Sequence, residues 1–223
     1  SMSHVDPDTG EFTPARSLDV AATVAGVTAA GKEWTGIVVP RSVERFATGM
    51  EDWTLEAWVQ LGTDDTGVIL SYQVDDKPAM EIGIDGGVPY VTFASLYGTT
   101  YTAGGDSSVV TPFEQGDWHH VAGVYEADTR TLTLVVDGVL EYGLLAMERP
   151  ITGMGTLFLA GDGTDEDAKR FADGRIDEVR VWNVAAPRSF IESNRDRVVS
   201  TGTAGLLAYY RFDDAGMNIE DFA

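Results

Sequence analysis

Cysteine is absent from this chain. Disulfides, thiol nucleophiles and cysteine-ligated zinc are thereby excluded, although the absence does not fix a redox compartment. Basic residues are scarce: 15 Lys plus Arg stand against 36 Asp plus Glu, a formal net charge of −21. A polyanion of that size is repelled by phosphate backbones and by anionic bilayers, so neither nucleic acid nor a membrane surface is an expected partner. No apolar run approaches the roughly 18 residues of a membrane span. Histidine is rarer still, with three residues. Of these, His4 belongs to an opening Ser1-Met2-Ser3-His4 that has the form of a cloning scar. His119 and His120 are neighbours, so on a strand they leave opposite faces and cannot share an ion. No Gly-x-Ser-x-Gly nucleophile elbow occurs either.

The 223 residues are 43% hydrophobic and 10% aromatic, enough for one substantial core and incompatible with intrinsic disorder. Their dominant pattern has period two. From Trp53 to Leu61 the odd positions are Trp53, Leu55, Ala57, Val59 and Leu61, while Thr54, Glu56 and Gln60 alternate with them and Trp58 is the exception. That predicts a strand with one core face and one partly wet face. Similar runs recur over 67–72, 88–96, 118–125, 131–136, 156–160, 175–182 and 206–212. Turn chemistry separates them, including Asp85-Gly86-Gly87, Gly104-Gly105-Asp106, Asp137-Gly138 and Gly161-Asp162-Gly163. The expected fold is an all-β, antiparallel two-sheet sandwich. One segment breaks the rhythm: Ala185 to Asn194 predicts a short helix with Pro187 near its first position, anchored by Phe190, Ile191 and Val198. Residues 1–16 are expected to be scar and loose arm, and 17–223 a single domain cut from a longer chain.

Four stretches carry a resemblance. They are Trp53-Thr54-Leu55-Glu56-Ala57-Trp58-Val59, Trp118-His119-His120-Val121-Ala122-Gly123-Val124-Tyr125, Leu132-Thr133-Leu134-Val135-Val136-Asp137-Gly138, and the run from Phe171 to Asn183. In order and spacing, with a closing Leu207-Ala208-Tyr209-Tyr210-Arg211-Phe212-Asp213, they resemble the laminin G-like jellyroll branch of the concanavalin A-like lectin/glucanase superfamily. The resemblance implies two packed curved sheets with loops at the rim, and a secreted or cell-surface module that binds carbohydrate or protein, often with Ca²⁺. Glucanases of that superfamily carry Glu-x-Asp-x-(x)-Glu on one strand, which puts three carboxylates on one face. Here the nearest fragment, Glu126-Ala127-Asp128, lacks the second Glu and sits at a predicted hairpin turn. The chain is therefore expected not to be an enzyme.

Three acids and two aromatics are the candidate site residues. Asp177 shares a predicted strand face with Val179 and Val181, where a carboxylate needs compensation. The resemblance implies a structural Ca²⁺ held by this side chain with backbone carbonyls. An ion pair with Arg175 or Arg211, or capping of backbone amides, would serve as well. The acidic loop containing Asp162 and Asp165 fails the EF-hand pattern, because its sixth position is Asp167 rather than Gly. It is either a second source of Ca²⁺ ligands or a solvated turn. Tyr97 and Tyr101 flank a Gly-broken turn and are the candidate sugar-stacking rings. Dispersed acidity suits a domain working in salt or calcium-rich fluid. The leading expectation is a calcium-assisted recognition module for a glycan or an extracellular protein, attached to other domains of its parent chain. A spacer or adhesion module holding a structural Ca²⁺ is the alternative, and a divergent glycoside hydrolase the third.

Overall fold

In the computed structural model, alternating side chains build seventeen strands among the described residues. Those residues are 51–164, 171 and 173–212, apart from the side chains of Leu140 and Glu141, together with Val39 and the backbone of six two-residue strands before it. The short strands are β1 (His4–Val5), β2 (Phe12–Thr13), β3 (Leu18–Asp19), β4 (Thr28–Ala29), β5 (Lys32–Glu33) and β6 (Ile37–Val38). The long ones begin with β7 (Trp53–Leu61), β8 (Gly67–Val74), β9 (Lys77–Asp85), β10 (Val88–Ala94) and β11 (Thr100–Gly104). They continue with β12 (Trp118–Glu126), β13 (Thr131–Val136), β14 (Val139–Leu145), β15 (Thr156–Leu159), β16 (Gly174–Trp182) and β17 (Leu206–Tyr210). The single described helix, α1 (Arg188–Asn194), precedes β17.

Two antiparallel sheets carry the fold. One runs β11-β10-β9-β8-β15-β6 and the other β14-β13-β12-β7-β16-β17, with β3 paired beside β16. The inner faces meet in one cluster that includes Trp53, Leu55, Val59, Ile82, Phe93, Tyr125, Leu132, Leu134, Val179 and Val181. This is the expected all-β jellyroll sandwich with one short helix near its C-terminal end. The hairpin turns follow from their residues. At Asp137-Gly138, between β13 and β14, φ is +49° and +78°. Both central residues are left-handed, the geometry of a turn whose twist matches the flanking strands, and Gly138 adopts it without a Cβ penalty.

Two expectations are corrected by what covers the second sheet. The outer face of β7 is not wet: Thr54, Glu56 and Trp58 are all buried. Helix α1 and the segment after it lie over this face, packing Ile191 against Ala122, Val124 and Val135, and Val199 against Trp182 and Tyr209. Pro187 is the cap residue before the helix rather than its first residue. The apolar anchor beyond the helix is Val199, since Val198 is 41% exposed. Arg188 Nε further ties the helix to the hairpin by donating to the Gly138 carbonyl at 2.7 Å.

The second correction concerns Asp177. A β-bulge in β16 shifts the register with β7 between Asp177 and Arg180, and Glu178 within it has φ +51°. Cross-strand partners point to the same side of a sheet, and Asp177 is opposite Trp58, an outer-face residue. The extra residue lets both Ile176 and Val179 face the core. Asp177 therefore does not share the face of Val179 and Val181.

Candidate functional site

Connecting segments from both sheets converge at one margin of the sandwich. There Glu51, Leu96, Tyr97, Tyr125, Arg130 and the 147–152 segment line a cleft of about 520 Å³. Its upper wall is a short turn built by Ser95. The Gly98 N–H donates to the Ser95 carbonyl at 3.1 Å, the Thr99 N–H to Ser95 Oγ at 3.1 Å, and the Ser95 N–H to the Thr99 carbonyl at 2.8 Å. Gly98 closes it at φ +90°, a conformation that disfavours any side chain. The turn lifts the Tyr97 ring into solvent, 83% exposed, beside Leu96 and Met147, each 69% exposed. Three large apolar side chains are thus exposed together at one cleft, a contiguous patch rather than scattered single residues.

The opposite wall is fixed to the first. Ser95 bridges Pro150, the Ile151 N–H donates to the Ala94 carbonyl at 2.8 Å, and Ser95 Oγ donates to Glu148 Oε2. Arg130, at the turn between β12 and β13, donates from Nη1 to the Met147 carbonyl at 3.0 Å. Arg149 Nη1 lies 3.7 Å from Glu51 Oε1, with both side chains more than half exposed. The floor is Tyr125. Its ring stacks on Trp53 at 5.9 Å and meets Phe93 edge-on at 5.1 Å, while its buried hydroxyl has no hydrogen-bond partner. Burial raises the pKa of that hydroxyl, opposed by the positive charges of Arg149 and Arg130. The result is a site with an exposed aromatic platform, two guanidinium groups and a hydroxyl without a partner.

Of the two sequence-predicted aromatics, Tyr97 lines the cleft. Tyr101 is half-buried and packs on the inner cluster, its ring 5.2 Å from Phe93. Arg130, Arg149 and Tyr125 were not expected. Their one signal in the sequence is an arginine following Asp128-Thr129, where a hairpin turn favours Gly or Asn.

The predicted metal residues are not brought together with the cleft. Asp162 follows β15 of the six-stranded sheet, where its Oδ1 accepts from the Thr164 N–H at 3.0 Å and the Thr164 hydroxyl at 2.7 Å. Asp177 lies in the other sheet, fully buried, with Oδ1 accepting from the Glu178 N–H at 2.8 Å. Asp165 lies outside the described residues. Among the described residues no group of three or more His, Asp or Glu is arranged to hold a metal ion. These carboxylates fit a cation only as single side chains supplemented by backbone carbonyls.

Two other polar regions lie away from the cleft. On the outer face of the six-stranded sheet, Glu81 accepts from Ser71 Oγ at 2.8 Å and from the Tyr90 hydroxyl at 3.1 Å. Burial and then the charge of Glu81 push the Tyr90 pKa well above its ordinary value. Under α1, Glu56, Glu178, Arg180 and His120 form a buried network sealed by the helix. His119, on the opposite face from His120, stacks on Phe113 at 4.1 Å and pairs with Asp137 Oδ2 at 2.9 Å. Neither region offers an exposed apolar platform.

A laminin G-type family model, described as concanavalin A-like lectin/glucanases superfamily, matches residues 27–191. The chain belongs to that superfamily. Solved structures share its fold. A candidate carbohydrate-binding protein from Bacteroides ovatus superposes with TM-score 0.60 at 21% identity, over 85% of this chain and 53% of the other. The chain thus spans about half the length of that protein. A heptameric pentraxin from Limulus polyphemus superposes with TM-score 0.51 at 13% identity, over 64% of this chain and 68% of its own. The ligand-binding domain of botulinum neurotoxin serotype D, in complex with N-acetylneuraminic acid, gives 0.50 at 13% identity over 64% and 35%. No curated protein matches the sequence.

Proposed function

We propose that the chain is a non-enzymatic carbohydrate-recognition module and that its cleft at the sandwich margin is the glycan site. The observation that carries this reading is Tyr97, a solvent-exposed ring on a hydrogen-bonded turn, with apolar neighbours and polar groups alongside. A pyranose presents an apolar face that stacks on such a ring and hydroxyls that need donors and acceptors around it. Carbohydrate binding occurs in neighbours of this fold: the Bacteroides protein is a candidate for it and the toxin domain holds an acidic sugar.

On a glycan array the wild-type chain should give discrete hits. Tyr97→Ala should weaken them at least tenfold, about 1.4 kcal/mol, without lowering the melting temperature, because the ring packs on no core residue. Binding unchanged in Y97A, or an array without hits, would overturn the assignment. Calcium belongs to the same proposal, with Asp177 or Asp162, each supplemented by backbone carbonyls, as the carboxylate that would hold it. A chelator should then lower the melting temperature of calcium-loaded protein, since an ion bound only to the native state stabilises it by mass action. An identical melt in calcium and chelator would remove calcium from the account.

A further inference from the structure

The cations around the cleft run against the character of the whole chain. With 15 Lys plus Arg among 223 residues and a net charge of −21, two arginines facing one site are a local exception. Arg130 is held there at a conformational cost: its φ is +55°, the left-handed region, where a non-glycine side chain is strained. Glycine would relieve that strain, yet the turn presents a guanidinium, anchored through one nitrogen to the Met147 carbonyl.

Arg149 is poised differently. Its contact with Glu51 is long at 3.7 Å and lies in solvent, whereas a charge-assisted N–H···O bond closes to about 2.8 Å. Such a pair is readily exchanged for another carboxylate, and the planar fork of the guanidinium suits a bidentate one. The other nearby acid, Glu148, is turned to the Ser95 hydroxyl. At the floor the Tyr125 hydroxyl is buried, lacks a partner and is a donor.

Resting on the glycan reading above, we infer that the cleft selects an acidic sugar, whose carboxylate takes the place of Glu51 on Arg149 and accepts from the Tyr125 hydroxyl while its ring stacks on Tyr97. Arg130 adds a second positive charge at the rim. A buried donor without a partner is costly. A carboxylate satisfies it and the Arg149 fork together and is drawn by the charge of Arg130, which a neutral hydroxyl is not.

The test uses an array of paired glycans, each acidic sugar printed beside its carboxyl-reduced neutral counterpart. Wild-type protein should favour the acidic member of a pair at least tenfold. Arg149→Gln and Arg130→Gly should each abolish that preference, and R130G should melt no lower than wild type because glycine suits its φ. Equal binding to both members, lost in Y97A but kept in R149Q, would overturn the acidic preference while leaving the glycan site standing. Acidic hits that survive both R149Q and R130G would overturn it as well. No hits in either set would sink the glycan reading together with it.

Discussion

Replacing Arg180 with Met should cost about 3–5 kcal/mol, because it leaves buried carboxylates without their partner. The guanidinium is fully enclosed under α1. Its Nη2 donates to Glu178 Oε2 at 2.8 Å and to the Arg197 carbonyl at 2.7 Å, and its Nη1 to the Asn194 carbonyl at 3.0 Å, with Glu56 Oε1 3.4 Å away. It also lies 4.9 Å from the centre of the Tyr209 ring. Burial alone would lower its pKa, but Glu56, Tyr209 and Glu178 hold it above the ordinary arginine value. Methionine fills much of the volume and strands two buried carboxylates and two carbonyls. For a domain of this size the loss amounts to roughly 10 °C in melting temperature. Lysine should recover only part of it, because one ammonium cannot reproduce the planar fork. A thermal melt checks both variants, and a loss below about 1 kcal/mol for R180M would show that the network is not what fastens the helix to the sheet.

Acid should weaken the fold through the same network, and Glu56 sets the window. Burial raises its pKa, but the charge of Arg180, the His120 ring 3.2 Å away and the Trp182 hydrogen bond outweigh that and lower it from 4.5 to about 2. A carboxylate whose folded pKa is depressed stabilises the fold above its unfolded value, and that contribution disappears as pH falls through the folded one. The loss therefore falls between about pH 4.5 and pH 2 and amounts to about 3 kcal/mol for this group. Asp137 is half-buried, which raises its pKa, but its hydrogen bonds from His119 and the His120 amide lower it on balance and add in the same direction. Glu56→Gln should be less stable at neutral pH, and should lose less on acidification across that range. Denaturant titrations at several pH values measure it, and parallel acid profiles for wild type and E56Q would contradict it.

The sandwich was legible because period two survives in the strands that pair most extensively: Trp53 to Leu61 alternates into the core as written, and Asp137-Gly138 turns where its residues require. The outer face of that same strand was misread, because burial there comes from a helix more than 120 positions away in sequence, as the hydrogen bond from Trp58 Nε1 to the carbonyl of Arg195 at the end of that helix illustrates with a separation of 137. The bulge at Asp177 and Glu178 was invisible for another reason. A one-residue insertion leaves the run Arg175 to Trp182 looking regular and is resolved only by which residues the opposite strand can pair. The cleft was half legible. Tyr97 announced itself through the adjoining Gly98, whereas Arg130, Arg149 and Tyr125 come from segments whose meeting depends on register and loop closure.

Determining the crystal structure of the protein with an array-selected glycan bound tests the central claim most directly. The account predicts a pyranose ring stacked on Tyr97 at van der Waals distance, about 4 Å, with its polar substituents turned to Arg149 and the Tyr125 hydroxyl. A sugar lodged instead on the outer face of the six-stranded sheet, against Glu81 and Tyr90, would contradict it.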